Sequence, residues 1–185
     1  NPKQTLDDHA VLIVDGLIKA VVPTAQTVGP NATLDLPADI QRIDCTGMHI
    51  YPAFIDAHMP IDTPSPDLAS PGVHWNASVT PQRSALDSGG VPAGDSKAHR
   101  ALGFAAAAIA PKGGIFAGKS AVVSLAPMPA DPADGKPGVY RASAYQTLSF
   151  QRAGSNRGEF SSYPNSEMGA IALIRQTLYD AAWIA

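Results

Sequence analysis

The sequence predicts an α/β fold opened by a small β-rich unit, and three observations carry that prediction. Residues 1–50 break into short apolar runs separated by turn dipeptides. Residues 104–110 and 120–125 are apolar runs of strand length, bounded by Gly and Pro as buried strands are. From Met168 onward the apolar residues recur at helical spacing.

Composition narrows the function classes. A chain of 185 residues is long enough to bury a core, and 45% hydrophobic against 16% charged residues excludes disorder. The net charge is −3 with Lys and Arg scattered, so no basic footprint for nucleic acid exists. The 5 Phe, 5 Tyr and 2 Trp form no basic-aromatic stripe for a single strand either. Cys45 is the only cysteine, which excludes an intrachain disulfide and a cysteine-based zinc site. No apolar run approaches the ~20 residues that cross a bilayer, so no membrane partner is expected. The chain opens at Asn1-Pro2 without Met, as an excised or processed segment would, and leaves the compartment unread. It stops at Ala182-Trp183-Ile184-Ala185 without Gly, Pro or a basic last turn, so the polypeptide is expected to continue.

Taken in order, residues 10–14 read as a strand, Asp15-Gly16 as a hairpin turn, and residues 17–22 as the returning strand ended by Pro23. Residues 40–43 and 48–51 offer two further strands around Thr46-Gly47. The domain boundary falls here, giving units 1–50 and 51–185. Ala53-Phe54-Ile55 begins a strand that runs into Asp56-Ala57-His58, and a long Pro-, Ser-, Asp- and Gly-rich loop follows to about Asp95. A short helix over 96–102 enters the strand at 104–110. A Gly-rich turn at 111–114, the strand at 120–125 and a loop over 127–138 come next. Asn165-Ser166 caps the last helix, with Glu167 in its first turn. Met168, Ile171, Ala172, Leu178 and Ala182 are its expected core face, with Arg175 snorkelling or ion-paired on that face.

Two stretches carry chemistry. Val14-Asp15-Gly16-Leu17-Ile18-Lys19-Ala20-Val21 and Ile43-Asp44-Cys45-Thr46-Gly47-Met48-His49-Ile50-Tyr51-Pro52-Ala53-Phe54-Ile55-Asp56-Ala57-His58 together resemble the amidohydrolase superfamily. The likeness is clear over residues 10–62. It implies a partial β-sandwich over 1–50 and, over 51–185, the first βα units of a TIM-like (β/α)8 barrel, which at about 250 residues this chain cannot close. It also implies metal-dependent hydrolysis of C–N bonds in small amides, by a water that a divalent metal, zinc above all, activates. In that family two histidines, two residues apart at the end of the first barrel strand, share the metal. The first position is His58 here, and the second is Pro60, which has no donor. The family's later ligands, a carboxylated Lys or Glu, two His and an Asp, would come from barrel strands beyond residue 185.

The nearest local substitutes as ligands are Asp62, Asp56 and His74. Two readings of His58 stand: a strand-end histidine satisfied by backbone or water, or a metal or substrate contact in a longer assembly. For His74-Trp75-Asn76 they are a substrate-contacting edge or an aromatic anchor that packs the loop. The expected partners are a small-molecule substrate and either a second copy or the remainder of a longer chain. The alternative class is a non-catalytic binding or structural module that keeps the scaffold without the metal.

Residues 113–120, Gly113-Gly114-Ile115-Phe116-Ala117-Gly118-Lys119-Ser120, satisfy the phosphate-loop pattern GxxxxGK[ST]. That pattern works only when a helix follows, and here β-branched residues and two prolines follow instead. The reading is a Gly turn between strands with Lys119 exposed; a phosphate-loop nucleotide binder is the remote alternative class, and no nucleotide-binding residue is assigned.

Overall fold

The computed structural model describes residues 5–15, 17–29, 32–37, 39–67, 69–127, 138–150 and 163–184. They fall into two units, Asn1–Ile50 and Tyr51–Ala185.

In the first unit, β1 (His9–Val14) and β2 (Leu17–Pro23) form an antiparallel pair with Val14 opposite Leu17. That register leaves two residues for the turn, and Asp15 accordingly takes a left-handed φ of 51°. A 3-10 turn, Thr24–Gln26, follows. The expected strands at 40–43 and 48–51 do not form: neither run pairs with a described strand. The turn between them does form, with Met48 N–H donating to Cys45 O at 2.9 Å and Gly47 at φ 75°.

In the second unit, β3 (Phe54–Ile61) and β4 (Phe104–Pro111) are parallel neighbours joined through α1 (Ala93–Ala101), a βαβ crossover. α1 has Asp95 in its first turn and His99 and Arg100 in its last, as the helix dipole favours. β5 (Phe116–Lys119) follows β4, and β6 (Ala121–Ser124) returns antiparallel to β4. β7 (Val139–Arg141) extends that sheet, giving the order β3-β4-β6-β7. β8 (Gln146–Leu148) pairs with β5 in a sheet of its own. No barrel closes among the described residues, since β3 and β7 are free edges of the larger sheet.

β4 is buried along most of its length because strands lie on both sides of it and residues pack on its faces. Ala107 and Ile109 join Met59, Ile61, Ala85, Ala121, Val123 and Leu125 in one core cluster. A second cluster brings Val79, Ile115 and Phe116 against Ala170 and Leu173 of α2 (Glu167–Ile184). Ser166 caps α2, accepting Gly169 N–H at 3.1 Å. Its buried face differs from the one expected: Leu173 is 2% exposed and Met168 81%. The helix is apolar nearly all round, so periodicity alone does not select a face, and contact with Val79, Ile115 and Phe116 does. Arg175 lies exposed rather than on a core face.

The second half of the long segment after β3 runs alongside β5. Ile115 and Phe116 N–H both donate to Ser78 O, and Thr80 N–H donates to Phe116 O at 2.8 Å. These bonds hold the segment alongside β5, and a 3-10 turn at Ala85–Ser88 with a Ser84–Asp87 capping box closes it. Of the expected loop over 127–138, residues 128–137 lie outside the described residues.

Candidate functional site

His58 sits on a bulge, and the bulge decides where it points. Asp56 is opposite Ala107 and Met59 opposite Ile109, so three steps along β3 match two along β4. Residues directly opposite share a face. Asp56 therefore lies on the side of Ala107, Ile109 and α1, where its Oδ2 is 3.5 Å from His99 Nε2. His58, next to Met59, is turned to the other side. The bulge also takes backbone groups out of the ladder, and side chains satisfy two of them. His58 N–H donates to Asp56 Oδ1 at 3.0 Å, and the Tyr145 hydroxyl donates to Ala57 O at 3.1 Å. His58 Nδ1 is 3.1 Å from the same Tyr145 oxygen.

Tyr145 is held from behind by Ser120, which is 0% exposed. Ser120 Oγ accepts Tyr145 N–H and donates to Tyr145 O, both at 3.0 Å, and Ser120 N–H donates to Tyr145 O at 2.8 Å. Burial pushes the Tyr145 phenol up from its ordinary value, Ser120 opposes this, and the Asp56 charge adds to it. The phenol is thus protonated and able to donate at neutral pH.

The other candidates have partners of their own. Asp62 Oδ2 takes Lys112 Nζ at 3.1 Å, an exposed pair joining the segments that leave β3 and β4. His74 Nδ1 accepts Asn76 N–H at 3.0 Å, so in the neutral ring the proton lies on Nε2, and no lone pair is left for a metal. Trp75 does not anchor its loop: it is 73% exposed and stacks on Tyr163, with ring centroids 6.5 Å apart. Asn76, 6% exposed, does so instead, donating to Tyr163 O at 2.8 Å and accepting Ser78 N–H at 2.9 Å.

Among the described residues no three His, Cys, Asp or Glu side chains come together to hold a metal ion. His58, Asp62 and His74 are engaged separately, and the residues present do not fit the divalent metal that the resemblance implies. At the carboxyl ends of β3 and β4 lies a hollow of about 140 Å³ lined by Pro60, Asp62, Ser88, Pro92, Asp95 and Lys112. That is room for a fragment and well short of the ~300 Å³ at which ordinary ligand pockets begin.

The phosphate-loop pattern becomes a strand-turn-strand unit. Gly113 and Gly114 turn with φ of 76° and 86°, Lys119 ends β5 exposed, and Ser120 leads into β6. A strand, β6, and not a helix N-terminus follows Ser120 directly, so the phosphate-loop geometry is not formed there. Sequence reasoning assigned no role to Tyr145 or to His99. Their links to His58 and Asp56 span 87 and 43 positions (145 − 58 and 99 − 56), which no local pattern reports.

No family model matches the chain. The fold is similar to the crystal structure of an amidohydrolase from Thermotoga maritima MSB8, with a TM-score of 0.55 and 22% identity. The match covers 92% of this chain and 42% of that one, so the chain spans less than half the length of the structure it resembles. At that identity the likeness is one of fold.

Proposed function

We propose that this chain is the opening part of an amidohydrolase-type hydrolase that breaks C–N bonds in small amides, and that His58 is its contribution to the reacting centre. The observation that carries the reading is the parallel β3-α1-β4 crossover, with a bulge that turns His58 away from the buried core. A first strand followed by its helix and a parallel second strand is how a TIM-like barrel begins, and residues near the carboxyl ends of such strands form its sites. The fold likeness supports the same reading. Among the described residues the donor set for a divalent metal is not assembled, so on this reading hydrolysis belongs to an assembly that supplies the remaining ligands.

The second reading is a binding or structural module that keeps the scaffold without the metal. Pro60 at the second histidine position and Lys112 on Asp62 favour it for this chain taken alone.

The experiment is metal content per polypeptide by mass spectrometry after dialysis, followed by zinc titration watched at the His58 ring by NMR. The expected result is little retained metal, no hydrolysis of small amides or lactams, and a shift of the His58 signals on adding zinc. A folded chain whose His58 ignores zinc removes the hydrolase reading and leaves the module. About one retained metal per chain, lost in His58→Ala, would show that the site closes within this chain and would overturn its incompleteness.

A further inference from the structure

We propose that Tyr145 is a positioning residue for His58: through one hydroxyl it holds the bulge and sets the imidazole with Nδ1 protonated, leaving the Nε2 lone pair to meet a ligand. The inference deepens the hydrolase reading and rests on it only for what meets Nε2, a hydrogen-bond donor such as the N–H of a small amide.

A phenol has one hydrogen, and a carbonyl can only accept. At 3.1 Å the Tyr145 hydrogen goes to Ala57 O. Toward His58 Nδ1, also at 3.1 Å, the same oxygen then offers a lone pair, so Nδ1 must carry the hydrogen. In a neutral imidazole that leaves Nε2 unprotonated, and no described residue hydrogen-bonds it. His74 has the opposite assignment, with Nδ1 as the acceptor. The two histidines that the sequence offered as ligands therefore differ in kind, and of the two it is His58 that presents a basic nitrogen with no hydrogen-bond partner among the described residues.

The arrangement is built from three places in the chain. The bulge at Ala57-His58 presents a carbonyl and a ring nitrogen to one hydroxyl, and Asp56 takes the N–H that the bulge frees. Ser120, the buried residue between β5 and β6, fixes the backbone of Tyr145 by three hydrogen bonds. A tyrosine whose main chain is clamped and whose hydroxyl has two partners loses little further freedom when its hydroxyl orients a neighbour, which is what positioning requires.

The test is long-range proton–nitrogen correlation on histidine-labelled protein at one neutral pH, with His58→Gln identifying the His58 signals. The wild type is expected to show His58 with Nδ1 protonated. Tyr145→Phe, which keeps the ring and removes the hydroxyl, is expected to shift His58 to a mixture of both tautomers with the circular dichroism unchanged. Wild-type His58 protonated at Nε2, or a Tyr145→Phe spectrum identical to the wild type, would overturn the proposal. Should Tyr145→Phe not fold, 3-fluorotyrosine labelling of the wild type gives the same decision: a more acidic phenol is a poorer acceptor, so the His58 Hδ1 resonance should move upfield as its bond to that oxygen weakens, and a His58 without an Hδ1 resonance overturns the proposal. A protonated Nδ1 in a chain that ignores zinc and amides would leave the positioning intact while the hydrolase reading fails, so the two stand or fall separately.

Discussion

Asp44 shows how a single side chain shapes the segment ahead of the site. Its Oδ1 accepts the Thr46 hydroxyl at 2.6 Å and Thr46 N–H at 2.9 Å, turning the chain toward Gly47. The hydroxyl, and then the backbone N–H, favour the charged carboxylate and hold it below its ordinary value. A carboxylate whose folded value is depressed contributes stability that is full above the unfolded value and lost as pH falls through the folded one. The Thr46 amide is therefore expected to keep its shift until pH drops below the usual carboxylate range. In Thr46→Ala, which removes the largest cause, the Asp44 midpoint should move back up in an NMR titration. A midpoint that does not move would show that the hydroxyl is not what holds the turn. At the same scale, Asn76 rather than Trp75 fixes the loop after β3, because a buried amide can satisfy two backbone groups and an exposed indole satisfies none.

Between elements, the contact of β5 with the segment before α1 sets the tightest constraint. Gly118 has φ 129°, and a Cβ there would stand 2.6 Å from Arg83 O, too close for any real pair of atoms. Gly113 has φ 76° with open space around it. Gly118→Ala should therefore cost about 3 kcal/mol from strain and overlap together, against about 1 kcal/mol for Gly113→Ala from its backbone alone. Urea denaturation of the two variants reads the difference, and equal losses would mean that β5 can move away from Arg83. This contact also explains what the sequence concealed. The glycines of the phosphate-loop pattern are required by a turn and a close backbone approach, and the pattern cannot tell that need from phosphate binding. Strands β4 and β6, helix α1 and the Ser166 cap were legible because their signals are local runs and caps. Strands β5 and β8 and the buried face of α2 were not, because each is chosen by a partner far along the chain. The site divides in the same way. His58 stood out by its motif, whereas the bulge, Tyr145 and His99 depend on pairing that only the folded sheet supplies.

Across the whole chain, burial is unevenly shared, and stability should follow it. The buried hydrophobic residues among those described run from Met59 to Leu173, and none belongs to the first unit. That unit's described strands are β1 and β2 alone, with Ile13, Val14, Leu17 and Ile18 exposed. A two-stranded sheet with no fully buried residue is marginal in water. β4, by contrast, is bonded to β3 on one side and β6 on the other, with Ala107 and Ile109 in the larger core cluster. Opening it requires disrupting that cluster, so its amides should exchange only with global unfolding, while those of β1 and β2 exchange through local opening. Native-state hydrogen exchange is expected to protect Ala107–Ala110 over β1 and β2 by roughly a hundredfold or more. Adding a low concentration of urea should leave the β1 and β2 rates nearly unchanged and raise the β4 rates steeply, because only the second opening exposes much surface. Equal protection and equal urea dependence would mean that the first unit unfolds with the second as one cooperative body, stabilised by more than its own hairpin.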